Sequence, residues 1–283
     1  MNENLQPKTL TINEWVTQAM SELISAGIGT AKLDAELILS HTLRKGRTYL
    51  HMYRDEELPP RIEEIANSRL ALRVDRVPLA YITGHKEFYG RRFIVNPSVL
   101  IPRPESEAII DILKELLPNT KALPGHSKRL VDVGTGSGCL GITAKLEFPE
   151  LEVTLTDISR HALTVAERNA DALQADVTTL RSDLLKNYVL QPDIIIANLP
   201  YVDESWERSP ETEHEPSVAL FARSGGLGLI NKLLVEASEI LPTAGLLLLE
   251  ADPEQHEAIQ TKARSLGLSP LKIHDYCLAL KKR

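Results

Sequence analysis

Apolar residues in this chain recur at helical spacing at the front, and behind it at an alternation of strand and helix spacing. Up to about residue 80 the pattern predicts helices throughout: 14–26 with Asn13 as its cap, 31–43 with Thr30 as its cap, and 60–74. Leu33, Leu37 and Ile38 share a face of the second, and Gly27 and Gly29 separate the first two. Residues 81–101 change period. Phe88, Phe93, Val95 and Val99 stand among Gly84, Gly90 and Pro97, which predicts a β-hairpin.

A helix is predicted over 104–117 and a loop over 118–128. Strands and helices then alternate: 130–133, 139–148, 152–156, 160–173, 177–182, 193–197, 227–241, 246–250, 254–266 and 271–274. That interval implies an α/β fold, a mostly parallel sheet flanked by helices. Residues 277–280 add an antiparallel edge strand. The chain divides into an N-terminal helical domain at 1–80, a β-hairpin linker at 81–102 and an α/β domain at 103–283. The helical part is either a structural appendage or a substrate-recruiting element.

Two strand ends carry chemistry. The run 130–133 contains Asp132 and leads into Gly134-Thr135-Gly136-Ser137-Gly138. Glycines at alternate positions let the backbone turn tightly and approach a ligand with no Cβ in the way. The spacing differs from the G-x-G-x-x-G of a dinucleotide site. An acid just upstream favours a ligand bearing a positive amino or sulfonium group over one bearing phosphates. The next strand ends in Asp157, placed to accept from both hydroxyls of a ribose.

The buried run 194–197 ends in Asn198-Leu199-Pro200-Tyr201. Open α/β sheets place ligands at such carboxyl ends. Asn198 offers a side-chain carbonyl, Leu199 a backbone carbonyl and Tyr201 an aromatic wall. Two acceptors converging on one NH2 hold a planar nitrogen with its face toward an electrophile, which is catalysis by positioning. Alone, the four residues also read as a strand-ending turn. In order with Asp132, the three glycines and Asp157 on successive strands, they read as one site.

The set resembles class I methyltransferases that use S-adenosylmethionine, and further segments narrow the resemblance. Pro78-Leu79-Ala80-Tyr81-Ile82-Thr83-Gly84, Glu87-Phe88-Tyr89-Gly90, Val99-Leu100-Ile101-Pro102-Arg103-Pro104-Glu105, Glu215-Pro216-Ser217-Val218-Ala219-Leu220-Phe221 and Gly225-Gly226-Leu227 are similar to the HemK/PrmC family over about residues 33–267. Its members methylate a glutamine side-chain amide, that of a Gly-Gly-Gln motif, in bacterial peptide chain release factors. The resemblance implies a Rossmann-like methyltransferase domain. It implies S-adenosylmethionine held by Asp132, Gly134, Thr135, Gly136, Ser137, Gly138, Asp157, Asp183, Leu184 and Asn198. It implies a glutamine site at Asn198, Leu199, Pro200 and Tyr201, with Arg103 close to the substrate. Asp183 either accepts from the adenine amino group or is a solvated strand end. Arg103 equally fits an ion pair with Glu105 or Glu107. Glu215-Pro216 either borders the glutamine pocket or turns its loop.

The chain departs from the family pattern at three places. Leu199 stands where the family has proline, although a backbone carbonyl is all that the position must supply, and Pro200 still biases it toward an extended conformation. Ser106 stands where threonine is usual, keeping the hydroxyl. Residues 273–283 look shorter than the usual last hairpin.

Composition narrows the partners. Of the 283 residues, 39 are acidic and 32 are Lys or Arg, a net charge of −7, against a nucleic-acid platform. Residues 1–85 hold ten Lys and Arg against eleven Asp and Glu, unlike the basic recognition region of an adenine-amino DNA methyltransferase. Cys139 and Cys277 suggest buried thiols, and neither they nor the eight histidines have metal-ligand spacing. With no leader pattern and no long apolar window, the expectation is a cytoplasmic monomer with no membrane contact and a protein substrate. Two alternatives stand beside release-factor methylation: methylation of a ribosomal-protein glutamine, and a noncatalytic cofactor-binding docking module, which Leu199 keeps open.

Overall fold

The first helix is capped by Thr11, two residues before the predicted cap. Thr11 Oγ1 accepts from the Glu14 N–H at 3.2 Å and Glu14 Oε2 accepts from the Thr11 N–H at 2.9 Å, a reciprocal capping box that Asn13 cannot form. The structure, a computed structural model, describes residues 9–117, 127–203, 205–220 and 225–283, with Val218 described by its backbone only. The polar stretch 1–8, Phe221 and most of the predicted loop 118–128 lie outside these residues. The described chain forms two units: one runs up to Gly84 and includes Pro210–His214, and the other holds His85–Ser209 and Glu215–Arg283.

In the first unit α1 (Ile12–Ser25), α2 (Ala31–Leu43), α3 (Arg47–Met52), α4 (Pro60–Val74) and α5 (Leu79–Thr83) enclose Trp15, Leu23, Ile38, Leu39, Leu50 and Leu70. The predicted face of α2 is rotated. Leu33 is 40% exposed, whereas Asp34 and Glu36 are buried. Their carboxylates accept from guanidinium groups, Asp34 from Arg73 Nε at 2.7 Å and Glu36 from Arg47, so both acids are buried alongside Ala35, Ile38 and Leu39. Removing Arg73 alone would strand the Asp34 charge, the costly way to break a buried pair.

In the second unit β1 (His85–Phe88) and β2 (Arg91–Ile94) form a hairpin shorter than the predicted 81–101. Residues 79–83 are helical instead, and Tyr89 and Gly90, both at positive φ, make the two-residue turn. A 3-10 turn at Pro104–Ser106 leads into α6 (Glu107–Leu116). There follow β3 (Arg129–Val133), α7 (Cys139–Glu147), β4 (Glu152–Asp157), α8 (Arg160–Leu173), β5 (Thr178–Arg181), β6 (Ile194–Ala197), α9 (Ser217–Leu220), α10 (Gly228–Ile240), β7 (Leu246–Glu250), α11 (His256–Ser265), β8 (Leu268–His274) and β9 (Cys277–Lys282).

The described strands β3 to β9 form one seven-stranded sheet in the order β5-β4-β3-β6-β7-β9-β8. Of these seven strands β9 alone points opposite to the rest, and it lies between β7 and β8, so the edge strand is β8 and the expectation of an edge at 277–280 is corrected. The burial pattern explains the order. Cys277, Leu278, Ala279 and Leu280 are all buried, whereas β8 is mostly open and carries Pro270, which suits an edge.

Alternate residues feed two cores. Leu130, Ile194, Ile196 and Leu248 pack toward α6, α7 and α8, while Val131, Val133, Ile195 and Leu247 pack toward α10 and α11. Each such side chain removed from water contributes roughly 1.5–3 kcal/mol. The strand order reverses between β3 and β6, so the crevice for a ligand opens beyond Val133 and Ala197.

Candidate active site

Asp132 is fully buried on β3. Its Oδ2 accepts from Thr135 Oγ1 at 2.6 Å and from the Gly141 N–H at 2.9 Å, tying the glycine turn to the first turn of α7. Among the described residues none donates to Oδ1. Burial pushes the carboxyl up to about 6, against the two hydrogen bonds that lower it. A buried acceptor without a donor, beside a cavity, suits a cationic group there.

The turn holds Gly134, Gly136 and Gly138 at positive φ. A Cβ on Gly134 would come within 2.8 Å of Leu199 Cδ2, whereas one on Gly136 would meet nothing within 4 Å, so Gly136 offers bare backbone to open space. Asp157 holds this backbone in place: Oδ2 accepts from the Gly136 N–H at 3.0 Å and Oδ1 from the Ser159 N–H at 2.8 Å. Asn169 anchors the other side, donating to the Ser137 carbonyl at 2.8 Å while bonding both backbone groups of Ile94.

Asn198 follows β6 and faces two acceptors. Its Nδ2 donates to Ser106 Oγ at 2.9 Å and to Glu250 Oε2 at 3.1 Å, which leaves Oδ1 as the end of the amide available to a ligand. Ser106 Oγ itself donates to Glu250 Oε2 at 2.5 Å. Tyr201 donates its hydroxyl to Glu250 Oε1 at 2.8 Å, and burial with the Glu250 charge beside it raises the phenol well above its usual range. Glu250 is almost wholly buried, and burial raises its carboxyl too, against the pull of Ser106 and Tyr201. Leu199 is buried in the core under α10, and Pro200 lines the cavity.

Arg103 pairs with Glu215, not with Glu105 or Glu107. Its guanidinium lies 2.5 Å from Glu215 Oε1, and Glu215 Oε2 accepts from the Ile101 N–H at 3.1 Å. Glu107 is taken by the Tyr89 N–H at 2.7 Å. Asp183 is also engaged: Lys186 and Lys232 lie 2.5 and 2.9 Å from its carboxylate and hold it below the usual range. Leu184 beside it is buried at positive φ. Cys277 is buried as expected, whereas Cys139 is half-buried at the cavity wall.

Asp132, the turn 134–137, Asp157, Asp183, Leu184, Asn198, Leu199, Pro200 and Arg103 all border one cavity of about 540 Å3 inside the second unit. Its size falls within the range of about 300–1,000 Å3 usual for small-molecule sites. Ile158, 60% exposed at its rim, and Leu184 supply apolar surface for a flat ring. Gly138, which caps α7, and Tyr201 do not line the cavity.

A family model for the PrmC N-terminal domain matches residues 14–84, reaching further forward than residue 33, and one for the methyltransferase small domain matches 106–215. The release factor glutamine methyltransferase of Koribacter versatilis is 38% identical over 86% of this chain and 89% of its own length. That of Deinococcus radiodurans is 34% identical over 91% and 92%. The chain belongs to the release factor glutamine methyltransferase family. The crystal structure of a methyltransferase from Pyrococcus furiosus shares the fold at a TM-score of 0.50 and 19% identity, over 70% of this chain and 91% of that one. The matched stretch 106–215 of this family member takes in the glycine turn, Asp157, Asp183 and the tetrapeptide, but stops short of Glu250.

Glu250 and Asn169 were not marked as site residues in the sequence. Glu250 carries a signal like that of Asp132, an acid in an otherwise apolar strand, here at its carboxyl end in Leu246–Glu250. Its partners come from β6 and the 3-10 turn before α6, which only the fold brings together. Asn169 lies mid-helix in α8 and carries no local signal.

Proposed function

We propose that this protein transfers a methyl group from S-adenosylmethionine to the side-chain amide nitrogen of the Gly-Gly-Gln glutamine in peptide chain release factors. Bound in the cavity, S-adenosylmethionine supplies an electrophilic methyl on a sulfonium. The donor set fits such a ligand: Asp132 Oδ1 is a buried acceptor for a cationic amino group, Gly136 exposes backbone, and Asp157 lines the cavity. On this reading Asp157 accepts from the ribose hydroxyls while keeping its bond to the Gly136 N–H, and Leu184 packs on the adenine ring. Asp183 offers the adenine amino group whatever its two lysines leave.

The observation that carries the reaction is the Asn198 amide, whose NH2 is fully used by Ser106 and Glu250. Its carbonyl then accepts from one N–H of the target amide, and the Leu199 carbonyl accepts from the other. An amide nitrogen is a poor nucleophile because its lone pair is delocalised into its own carbonyl. Acceptors on both N–H bonds pull harder as the nitrogen becomes positive, so they favour the transition state over the bound substrate. Tyr201, kept as a neutral phenol, stiffens the tetrapeptide through Glu250, and Pro200 limits its backbone freedom. Arg103 steadies the approach to α9 through Glu215.

The N-terminal helices α1 to α5 serve in this reading to recruit the protein substrate, and the near balance of charge over residues 1–85 suits a protein better than a nucleic acid. The cavity lies within the second unit, and this reading takes the protein to act as a monomer. No described helix is long and apolar enough to cross a membrane. Release factors act on the ribosome, which puts the reaction in the cytoplasm. Incubation with radiolabelled S-adenosylmethionine, release factors and ribosomal proteins tests the proposal. Label on the release-factor glutamine is expected, and label confined to ribosomal proteins would overturn it.

A further inference from the structure

An asparagine amide has nearly the same shape either way round. Turned by 180°, Asn198 would present NH2 to the cavity and meet the target amide donor against donor. Its surroundings decide the orientation. An ionised carboxylate only accepts. Glu250 Oε2 faces Asn198 Nδ2 at 3.1 Å. Ser106 Oγ faces the same nitrogen at 2.9 Å, and its one proton is already donated to Glu250 at 2.5 Å, so the hydroxyl too can only accept from Asn198. Glu250 therefore acts on Asn198 twice, directly and by fixing the Ser106 proton. The Tyr201 hydroxyl, donating to Oε1 at 2.8 Å, holds the carboxylate in place.

We infer that Glu250 is a positioning residue that fixes the polarity of the Asn198 amide, so that its carbonyl and not its NH2 meets the substrate. The inference rests on the proposed role of Asn198 as acceptor for the target amide. Glu250 does not line the cavity and reaches it only through Asn198 and Ser106. Its effect belongs in turnover rather than in cofactor affinity, and it should depend on the arrangement of donors and acceptors rather than on volume.

A polarity exchange tests this. Glu250→Gln keeps the shape and the acceptor for Tyr201 but turns a donor toward Asn198. It should lower kcat for methyl transfer by about tenfold or more, a fraction of what loss of an aligned partner costs, while cofactor affinity stays within about twofold. Asn198→Asp alone sets two carboxylates face to face and should also be poorly active. The double variant restores one amide against one carboxylate and leaves an acceptor toward the cavity. Its kcat should exceed that of Asn198→Asp by about tenfold or more, which mere tolerance of volume would not produce. Melting curves and cofactor titration confirm that each variant is folded. A wild-type kcat in Glu250→Gln, or a double variant no faster than Asn198→Asp, would overturn the inference. If Glu250→Gln proves unstable, the comparison of the double variant with Asn198→Asp still decides it. Near-normal transfer by Asn198→Ala would instead remove the underlying role of Asn198.

Discussion

Asn198 and Glu250 stand one residue beyond the paired Ala197 and Leu249 on adjacent parallel strands, and the amide nitrogen of the first donates to the carboxylate of the second at 3.1 Å. Parallel register puts both side chains at the carboxyl end of the sheet, beside the point where strand order reverses. An apolar sheet interior thus ends in a polar cluster in which the Asn198 NH2 is taken up by Ser106 and Glu250 and its carbonyl is left for a ligand.

Gly136 separates folding from ligand binding. A Cβ there meets nothing within 4 Å, and asparagine tolerates positive φ better than most residues, so Gly136→Asn should stay folded. Its side chain would occupy space that the ligand needs. Calorimetric titration should show S-adenosylmethionine affinity falling by about tenfold or more. Asp157→Ala should lose about 1–3 kcal/mol of the same affinity, because the Gly136 N–H and the ribose lose their acceptor. Unchanged affinity in both variants would overturn the placement of the cofactor.

Asp132 makes stability and binding depend on pH in opposite senses. Its folded value is raised from 3.8 to about 6, so the folded protein holds this proton longer than the unfolded chain does. Asp132 therefore costs stability as pH climbs from about 4 through 6, and none of that cost is present below the unfolded value. A cationic amino group reverses the preference: cofactor affinity should rise over that window, with a proton released on binding. In Asp132→Asn the affinity should be weaker and nearly flat, and its melting temperature should gain on the wild type as pH rises. A stability difference that ignores pH between 4 and 7 would contradict the buried, unpaired state of this carboxyl.

Leu199 should act through its carbonyl. Among the described residues none accepts from its N–H, and Pro200 already favours an extended residue before it. Leu199→Pro should keep kcat within about threefold while losing part of the side chain's packing against Gly134, a stability cost of about 1 kcal/mol. A large fall in kcat in folded protein would assign the leucine side chain a role in the reaction.

Much of this architecture was legible in the sequence because burial on both sides of a parallel sheet writes unbroken apolar runs, such as 194–197 and 246–249. The glycine turn was legible for a similar reason, since positive φ at alternate positions leaves few residue choices. What was missed depends on pairs distant in sequence. Sequence spacing puts Leu33 on the apolar face of α2, and only Arg73 and Arg47 make burying Asp34 and Glu36 affordable. Glu215 lies 112 positions from Arg103, while Glu105 and Glu107, its neighbours in sequence, fit an ion pair equally well on spacing alone. Two local signals were present and unused: Thr11 three residues before Glu14, and Pro270 marking the edge strand.

The role of Asn198 is tested most directly by Asn198→Ala, with cofactor affinity and methyl transfer to a release factor measured side by side. Losing one aligned partner in a closed site should lower kcat by roughly 10²-fold or more, while S-adenosylmethionine affinity changes by less than about threefold. Near-normal transfer by the folded variant would contradict the amide-holding role and the reaction proposed with it.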